Sequence, residues 1–178
     1  MFKNRFKYFR FFLFSFLIFF NFMLNTKADI FFLDTNLIYQ NSLIGKKIEK
    51  KINSKQLEIK NFLNEQKKLI DEENENINKQ KNVLSEEELK NRLQNLENKI
   101  NSFNNIVRIE NDKLELYRKK LNDAFTEELR KIISEYVSKN DIELVIEKNN
   151  IIIGNKLLDL TQTILDVLNV RVKDIIIE

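Results

Sequence analysis

The chain has 178 residues and a formal net charge of +3; 32% of its residues are charged, only two are Gly, and Pro, Cys, His and Trp are absent. Without Cys or His, it lacks a thiol nucleophile, a disulfide, an imidazole base and the usual ligands of zinc and haem. It also has no glycine-rich phosphate loop. We therefore expect a protein that is not an enzyme and that uses no cofactor or metal. Because turns depend on Gly and Pro, the composition favours long uninterrupted helices.

Residues 1–28 have the features of a secretory signal peptide. Four basic residues lie within the first ten, and a mainly apolar run covers residues 11–24. Thr26 and Ala28 are small residues at the positions that a signal peptidase requires, so we expect cleavage between Ala28 and Asp29. The predicted location is the periplasm of a bacterium.

Removing this segment takes away five basic side chains and leaves 25 basic and 27 acidic ones, a net charge of about −2. The basic pI therefore does not indicate a nucleic-acid partner.

The alternative is that the N-terminal segment is retained as a membrane anchor. Its apolar run covers residues 11–24, whereas a spanning helix needs about 20 apolar residues. Lys27 and Asp29 end the run sharply. These features favour cleavage over retention.

The mature chain begins with an apolar run, Ile30–Leu33, that is typical of a strand buried on both faces. Asp34 is suited to cap a short helix after it. Gly45 is interpreted as the joint between a small body, residues 29–45, and a long arm.

Apolar residues recur at helical spacing from residue 48 onward, which predicts helices near 46–81 and 86–138. Ser85 and Glu88 have the spacing of a capping box at the start of the second helix. In that helix, apolar residues follow a 3–4 spacing over about seven heptads, which is typical of a coiled coil. We expect an antiparallel hairpin, 46–138, with its tip near 82–85. At ~1.5 Å per residue the helices are about 55 and 80 Å long, so they should project from the body.

Residues 139–178 are predicted to return to the body. Ile142, Leu144 and Ile146 alternate with residues expected to face water, which predicts a strand. A turn at 148–150 and a return strand at 151–153 would complete a β-hairpin. Asp159 is expected to cap a final short helix, and the pairing of the β-rich tail after residue 170 is left open. The helical hairpin would bring this strand beside Ile30–Leu33.

A body of three short strands and two short helices has a small core, and chains of this size often gain stability by assembly. We therefore expect self-association through apolar strand residues, the candidates being Ile30, Phe32, Leu144, Ile146 and Ile152. Alternatively, the chain's own helices cover these strands completely.

The mature chain resembles the Skp (OmpH) family of periplasmic chaperones. The resemblance rests on the strand leading into residues 34–38, on Gly45-Lys46, on the start of the return helix at 84–88, and on residues 141–146 after the arm. It implies an α+β fold with a coiled-coil arm on a small β body, assembled as a homotrimer whose arms surround a cavity. It also implies that the chain holds unfolded outer-membrane proteins without ATP.

Three aromatic residues, Phe62, Phe103 and Phe125, are candidates for contact with a client chain, although packing inside the hairpin is the commoner role. Members of the family usually have basic arm tips that attract acidic clients or membrane surfaces. Here residues 64–100 hold seven basic and nine acidic side chains. We therefore expect client capture by confinement and apolar contacts rather than by charge, with at most transient membrane-surface contact.

Two other functions fit a long helical hairpin. The first is a membrane-anchored coiled-coil tether or scaffold of the cell envelope, which requires that residues 1–28 be retained. The second is a coiled-coil adaptor of a secretion system, which usually carries further domains that do not fit within this length.

The intact mass of the protein recovered from the periplasm tests the cleavage. We expect a mass that corresponds to residues 29–178. A mass that includes residues 1–28 would contradict the cleavage and favour the tether.

Overall fold

The computed structural model describes residues 30–175, so the predicted signal peptide, the predicted cleavage between Ala28 and Asp29, and the last three residues lie outside the described part. The described chain is mostly helical and has a small two-stranded sheet. Its elements in order are strand β1 (Ile30–Leu33), helices α1 (Thr35–Asn41), α2 (Leu43–Gln80) and α3 (Glu86–Lys139), strand β2 (Leu144–Glu147) and helix α4 (Thr161–Arg171).

Helices α2 and α3 pack against each other along an arm and contain 38 and 54 residues, which correspond to about 57 and 81 Å. The chain reverses between Lys81 and Ser85. The predicted capping box is confirmed: Glu88 N–H donates to Ser85 Oγ at 3.3 Å, and Ser85 N–H donates to Glu88 Oε2 at 3.1 Å. Paired capping of this kind satisfies donors that the first turn cannot.

The strands from the two ends of the chain meet as predicted, and they pair in parallel with Ile30 opposite Leu144. A capping motif at the C-terminal end of α3 turns the chain towards β2. Asp141 has φ 52°, in the left-handed region, and Ile142 N–H donates to Val137 O at 3.1 Å. This is the bond that closes a Schellman motif, so α3 ends there and β2 follows at once.

The predicted return strand at 151–153 is wrong. A hairpin loop of two or three residues needs positive φ in its turn, and of the non-glycine residues described only Asp141, which lies before the predicted turn at 148–150, has a positive φ. Residues Lys148–Asn150 instead form a 3₁₀ turn, with Ile151 N–H donating to Lys148 O at 3.0 Å. The other edge of β1 is met by a later segment, since Leu160 N–H donates to Phe32 O at 2.8 Å.

Gly45 is not the joint between body and arm, because α2 already begins at Leu43 and runs through Gly45. The interruption between helices α1 and α2 is at Ser42, which is fully buried. Its backbone N–H donates to Ile38 O, and its Oγ accepts from Gly45 N–H at 2.9 Å. Gly45 is required for another reason: a Cβ there would lie 1.8 Å from the carbonyl oxygen of Tyr39.

One buried cluster joins the sheet, the short helices, the first turns of α2 and the second half of α3. The parts of α2 and α3 that belong to this cluster are here called the roots of the arm helices. Its most deeply buried members come from α1, α2, α3 and α4: Ile38, Ile44, Ile48, Leu121, Ile164 and Leu168. The roots of the arm helices therefore belong to the body core, so the core is larger than two short helices and a sheet would provide.

The end of the chain also differs from the predictions. Asp34 caps α1 as predicted, accepting from Leu37 N–H at 2.8 Å, but Leu160 rather than Asp159 is the N-cap of α4. The expected β-rich tail is helical as far as Arg171. Beyond it, Val172 and Ile175 are buried in the body core. The described part of the tail therefore packs across the root of α2, where Lys51 Nζ donates to the carbonyl oxygen of Ile175.

The substitution Gly45→Ala tests the packing at the joint. Replacing Gly by Ala inside a helix usually stabilises a protein by about 0.5–1 kcal/mol. Here we expect a loss of about 1–3 kcal/mol, because the added methyl group collides with the Tyr39 carbonyl. Urea unfolding at one fixed protein concentration measures the change. The exposed Asn53→Ala in α2 is the control and should not lower the midpoint; an equal rise for both variants would contradict the argument.

Candidate binding surfaces

The two faces of the sheet have different surroundings. On one face, Phe31, Leu33 and Val145 pack on the body core. Side chains alternate along a strand and register partners share a face, so Ile30, Phe32, Leu144 and Ile146 lie together on the opposite face, here called the sheet face. Ile30 and Leu144 are 45% and 48% exposed.

This arrangement corrects the predicted orientation of β2. Val145 was expected to face water, yet it packs on the core, whereas Leu144 was expected to be covered and is half exposed. Within residues 30–175, the chain covers the sheet face at Phe32, which is 6% exposed, and partly at Ile146. Gly154 lies so close to the Phe32 ring that a Cβ there would be 2.6 Å from it. The described part of the chain therefore covers one face of the sheet and leaves Ile30 and Leu144 about half exposed on the other.

The segment that crosses Phe32 carries apolar side chains into solvent. Ile152 and Ile153 are 99% and 90% exposed, and Leu157 is 85% exposed. Together with Ile30 and Leu144 they form a concentration of exposed apolar side chains on the body. Of the predicted interface residues, Ile30, Leu144 and Ile152 are exposed, Ile146 is half buried and Phe32 is buried.

Polar contacts hold the ends of this segment in place. Lys148 Nζ lies 2.9 Å from Asp159 Oδ2, and Asp159 Oδ1 accepts from Thr161 N–H at 2.9 Å. Thr161 Oγ1 in turn accepts from Asp34 N–H at 2.9 Å, which ties α4 to the end of β1. Partial burial raises the pKa of Asp159, but hydrogen bonds from Thr161 and Lys148 outweigh it and hold the pKa below its ordinary value. Asp159 is therefore charged at neutral pH and the segment stays anchored.

The packing of the arm changes along its length. Cross-helix contacts, such as Arg118 to Gln56 and Lys99 to Glu73, place Ile59 at the level of Leu114 and Ile77 at the level of Leu96. These four side chains are buried. Between them, residues 60–76 and 97–113, all of which the structure describes, contain no buried side chain. The middle of the arm, about 26 Å long, is therefore loosely packed.

A groove with a volume of about 590 Å³ opens on this loose section and extends past the Leu96 layer to Asn95 and Arg92. Its apolar lining comes from Leu69 and Ile70 of α2 and from Phe103 and Ile106 of α3. Leu69 remains 59% exposed although it belongs to the apolar repeat. We call this feature the arm groove. Of its residues only Phe103 was singled out from the sequence, because helical periodicity cannot tell a packed layer from an open one.

The three candidate phenylalanines have different surroundings. Phe103 lines the arm groove and is half buried. Phe62 is 41% exposed, and it lies four and seven residues before two groove residues, Gln66 and Leu69, so it shares their side of α2. Phe125 packs inside the protein, which is the commoner role expected of these three residues. It is 4% exposed and meets Tyr39 edge-on, with ring centroids 4.9 Å apart, so a client chain cannot reach it.

Charges near the tip are paired rather than concentrated. Glu73 faces Lys99 across the arm at 3.9 Å, and Glu75 lies 3.5 Å from Lys79. Hydrogen bonds from Ser85 lower the pKa of Glu88, the acid of the capping box. This pairing agrees with the near-balance of charge counted in the sequence for residues 64–100.

Between residues 30 and 175, no helix is both long enough and apolar enough to cross a membrane. Within the same range, the acidic side chains form no cluster of three that could hold a metal ion.

Known proteins resemble the chain in sequence pattern and in fold. The model of the family described as "Outer membrane protein (OmpH-like)" matches residues 29–168. Among solved structures, an OmpH-like protein of Caulobacter crescentus CB15, described as a candidate outer membrane chaperone, has a TM-score of 0.79 at 15% identity; the match covers 86% of this chain and 91% of that one. No curated protein matches. Because the family model covers most of the chain, the protein belongs to the OmpH-like family.

Proposed function

We propose that the mature chain is an ATP-independent holding chaperone of the periplasm, which binds unfolded outer-membrane proteins in a cavity between the arms of a homotrimer. Membership of the OmpH-like family and the fold shared with a candidate outer membrane chaperone support a chaperone role. The periplasmic location rests on the signal-peptide features of residues 1–28.

The observation that carries the proposal is the exposure of apolar side chains along a projecting arm. A hairpin that served only as a spacer would gain stability by burying its apolar repeat in the seam between its helices. Here Phe62, Leu69, Leu93 and Ile100 are each at least 40% exposed. Surfaces of this kind are typical of binding sites for apolar partners. An unfolded chain would cover them without any need for catalysis.

Assembly through the body is supported by the sheet face and by the segment that carries Ile152. Ile30, Leu144 and Ile152 are exposed, although apolar groups gain about 25 cal/mol per Å² when they are removed from water. Burial between copies would supply that gain. Three copies joined at their bodies would place three arms around one space.

Apolar contact, rather than charge, is the proposed source of affinity. The ion pairs near the tip support this, because they place charges of opposite sign beside each other. Binding that depended on steering by charge would weaken steeply with salt, because surface charges are screened beyond about 10 Å at 0.1 M.

An aggregation assay tests the holding function. A barrel-forming outer-membrane protein is diluted from urea, with and without the mature chain, and light scattering is recorded. We expect suppression without ATP at about one assembly per client, with less than a threefold change between about 0.05 and 0.5 M salt. Scattering equal to that of the client alone would contradict the holding function, and a collapse of protection at high salt would contradict the apolar mechanism.

The variant Ile152→Asp tests assembly through the body. Because this side chain is 99% exposed in the single chain, the charge should not disturb folding of the body. We expect the mass measured by multi-angle light scattering to fall from three chains towards one. Val83→Asp, at the exposed tip of the arm, is the matched control and should keep the mass of the unsubstituted protein. Assembly that survives Ile152→Asp would contradict this interface.

A further inference from the structure

We infer that the arm groove binds client segments in which apolar and polar side chains alternate, and that it selects this pattern over a continuous apolar run of the same composition. The inference rests on the proposed holding function and names the kind of segment that one arm takes. It is carried by the position, lining and length of the groove.

The groove lies where α2 and α3 are not closely packed against each other. Buried layers at Ile59 with Leu114 and at Ile77 with Leu96 close the seam on both sides of the loose section. Protein interiors normally leave few voids larger than a water molecule, and side chains beside a void lose dispersion contacts. An apolar side chain from another molecule would restore those contacts, and a groove of about 590 Å³ is within the size range of ligand pockets.

The lining favours an extended chain. Leu69, Ile70, Phe103 and Ile106 supply an apolar floor, and neutral hydrogen-bonding groups border it: Gln66, Asn95, Asn98 and Ser102. Amide and hydroxyl side chains can donate to and accept from backbone groups, whereas a helical segment has no free backbone groups to offer along its middle. Three charged residues also line the groove: Lys99 pairs with Glu73 across the arm, and Arg92 donates to Gln80. The lining therefore contains charges of both signs.

The length of the groove, and its having an apolar floor on one side, define the pattern of side chains that it would bind. The residues of α3 that line the groove, 92–106, span about 21 Å, which corresponds to about six residues of an extended chain at 3.3 Å per residue. In such a chain, successive side chains point to opposite sides, so every second residue would face the floor and the others would face water. Strands of outer-membrane barrels have about 10 residues and alternate in this way. A block of consecutive apolar residues would leave half of its apolar side chains in water.

Two fluorescent peptides of about ten residues and identical composition test the selection, one with alternating and one with contiguous apolar residues. Their dissociation constants for the assembled mature protein are measured by fluorescence anisotropy. We expect the alternating peptide to bind at least about tenfold more tightly, which corresponds to about 1.4 kcal/mol. Equal affinities would overturn the inference.

Three variants test the location. Ser102→Phe fills the groove and should weaken binding of the alternating peptide about tenfold. Asn104→Phe, the matched control, adds the same ring about 200° around α3, at a residue that does not line the groove, and should change affinity less than twofold. Leu69→Asn removes part of the floor from an exposed position, where a substitution has little effect on folding, and should also weaken binding.

The outcomes separate the inference from the proposed function, because the aggregation assay is run on the same samples. If the unsubstituted protein suppresses aggregation but binds both peptides equally, or if Ser102→Phe and Asn104→Phe act alike, the groove selection is wrong while the holding function stands. If Ser102→Phe alone changes the mass of the assembly, the groove is an interface between copies and the inference is again wrong. Failure of the unsubstituted protein to suppress aggregation would instead contradict the holding function itself.

Discussion

The structure depends on the burial of the roots of both long helices in the core of the body. Ile44 and Ile48 of α2 and Leu121 of α3 are at most 1% exposed, and they share one cluster with Ile38, Ile164 and Leu168 from the short helices. Each side chain of this kind contributes about 1.5–3 kcal/mol when it is fully buried. The arm therefore begins inside the core rather than at a flexible joint, and its direction is set by the packing of the body.

Away from the root, the same two helices serve a different purpose. The seam is closed at two layers and open between them, where apolar side chains remain half exposed. A section with few buried contacts has low local stability and can adjust to what it binds. Close packing at both ends keeps the helices together while the middle remains available. The apolar residues that a coiled coil would bury are, in this section, the residues that the proposed function uses.

In the body, the two faces of the sheet likewise differ in how far their apolar side chains are buried. The core-facing side of the sheet packs on the chain's own core, while Ile30, Leu144 and Ile152 are exposed in the single chain and would be buried by the proposed assembly. The ion pair of Lys148 with Asp159 and the bonds of Thr161 hold the exposed segment against β1, so these apolar side chains are displayed at a defined position. Rigid display lowers the entropy cost of association.

The sequence by itself determined the elements that depend on local signals. Helical spacing predicted both arm helices, the Ser85–Glu88 pair predicted where the second begins, and Asp34 predicted the start of α1; each of these features acts within one or two turns of chain. The meeting of the two strands also followed, because two long antiparallel helices must return the chain to its starting point.

Tertiary structure alone decided the rest, because those features depend on which surfaces meet. Residues 151–153 have strong strand propensity but form no strand, since the turn before them has the wrong geometry and the free edge of β1 is met by Leu160. Phe125 and Leu69 both belong to apolar repeats, yet one is buried in the core and the other is exposed beside the groove. A repeat reports that a helix has an apolar side; only the distance between packed helices decides whether that side is closed or left open to bind.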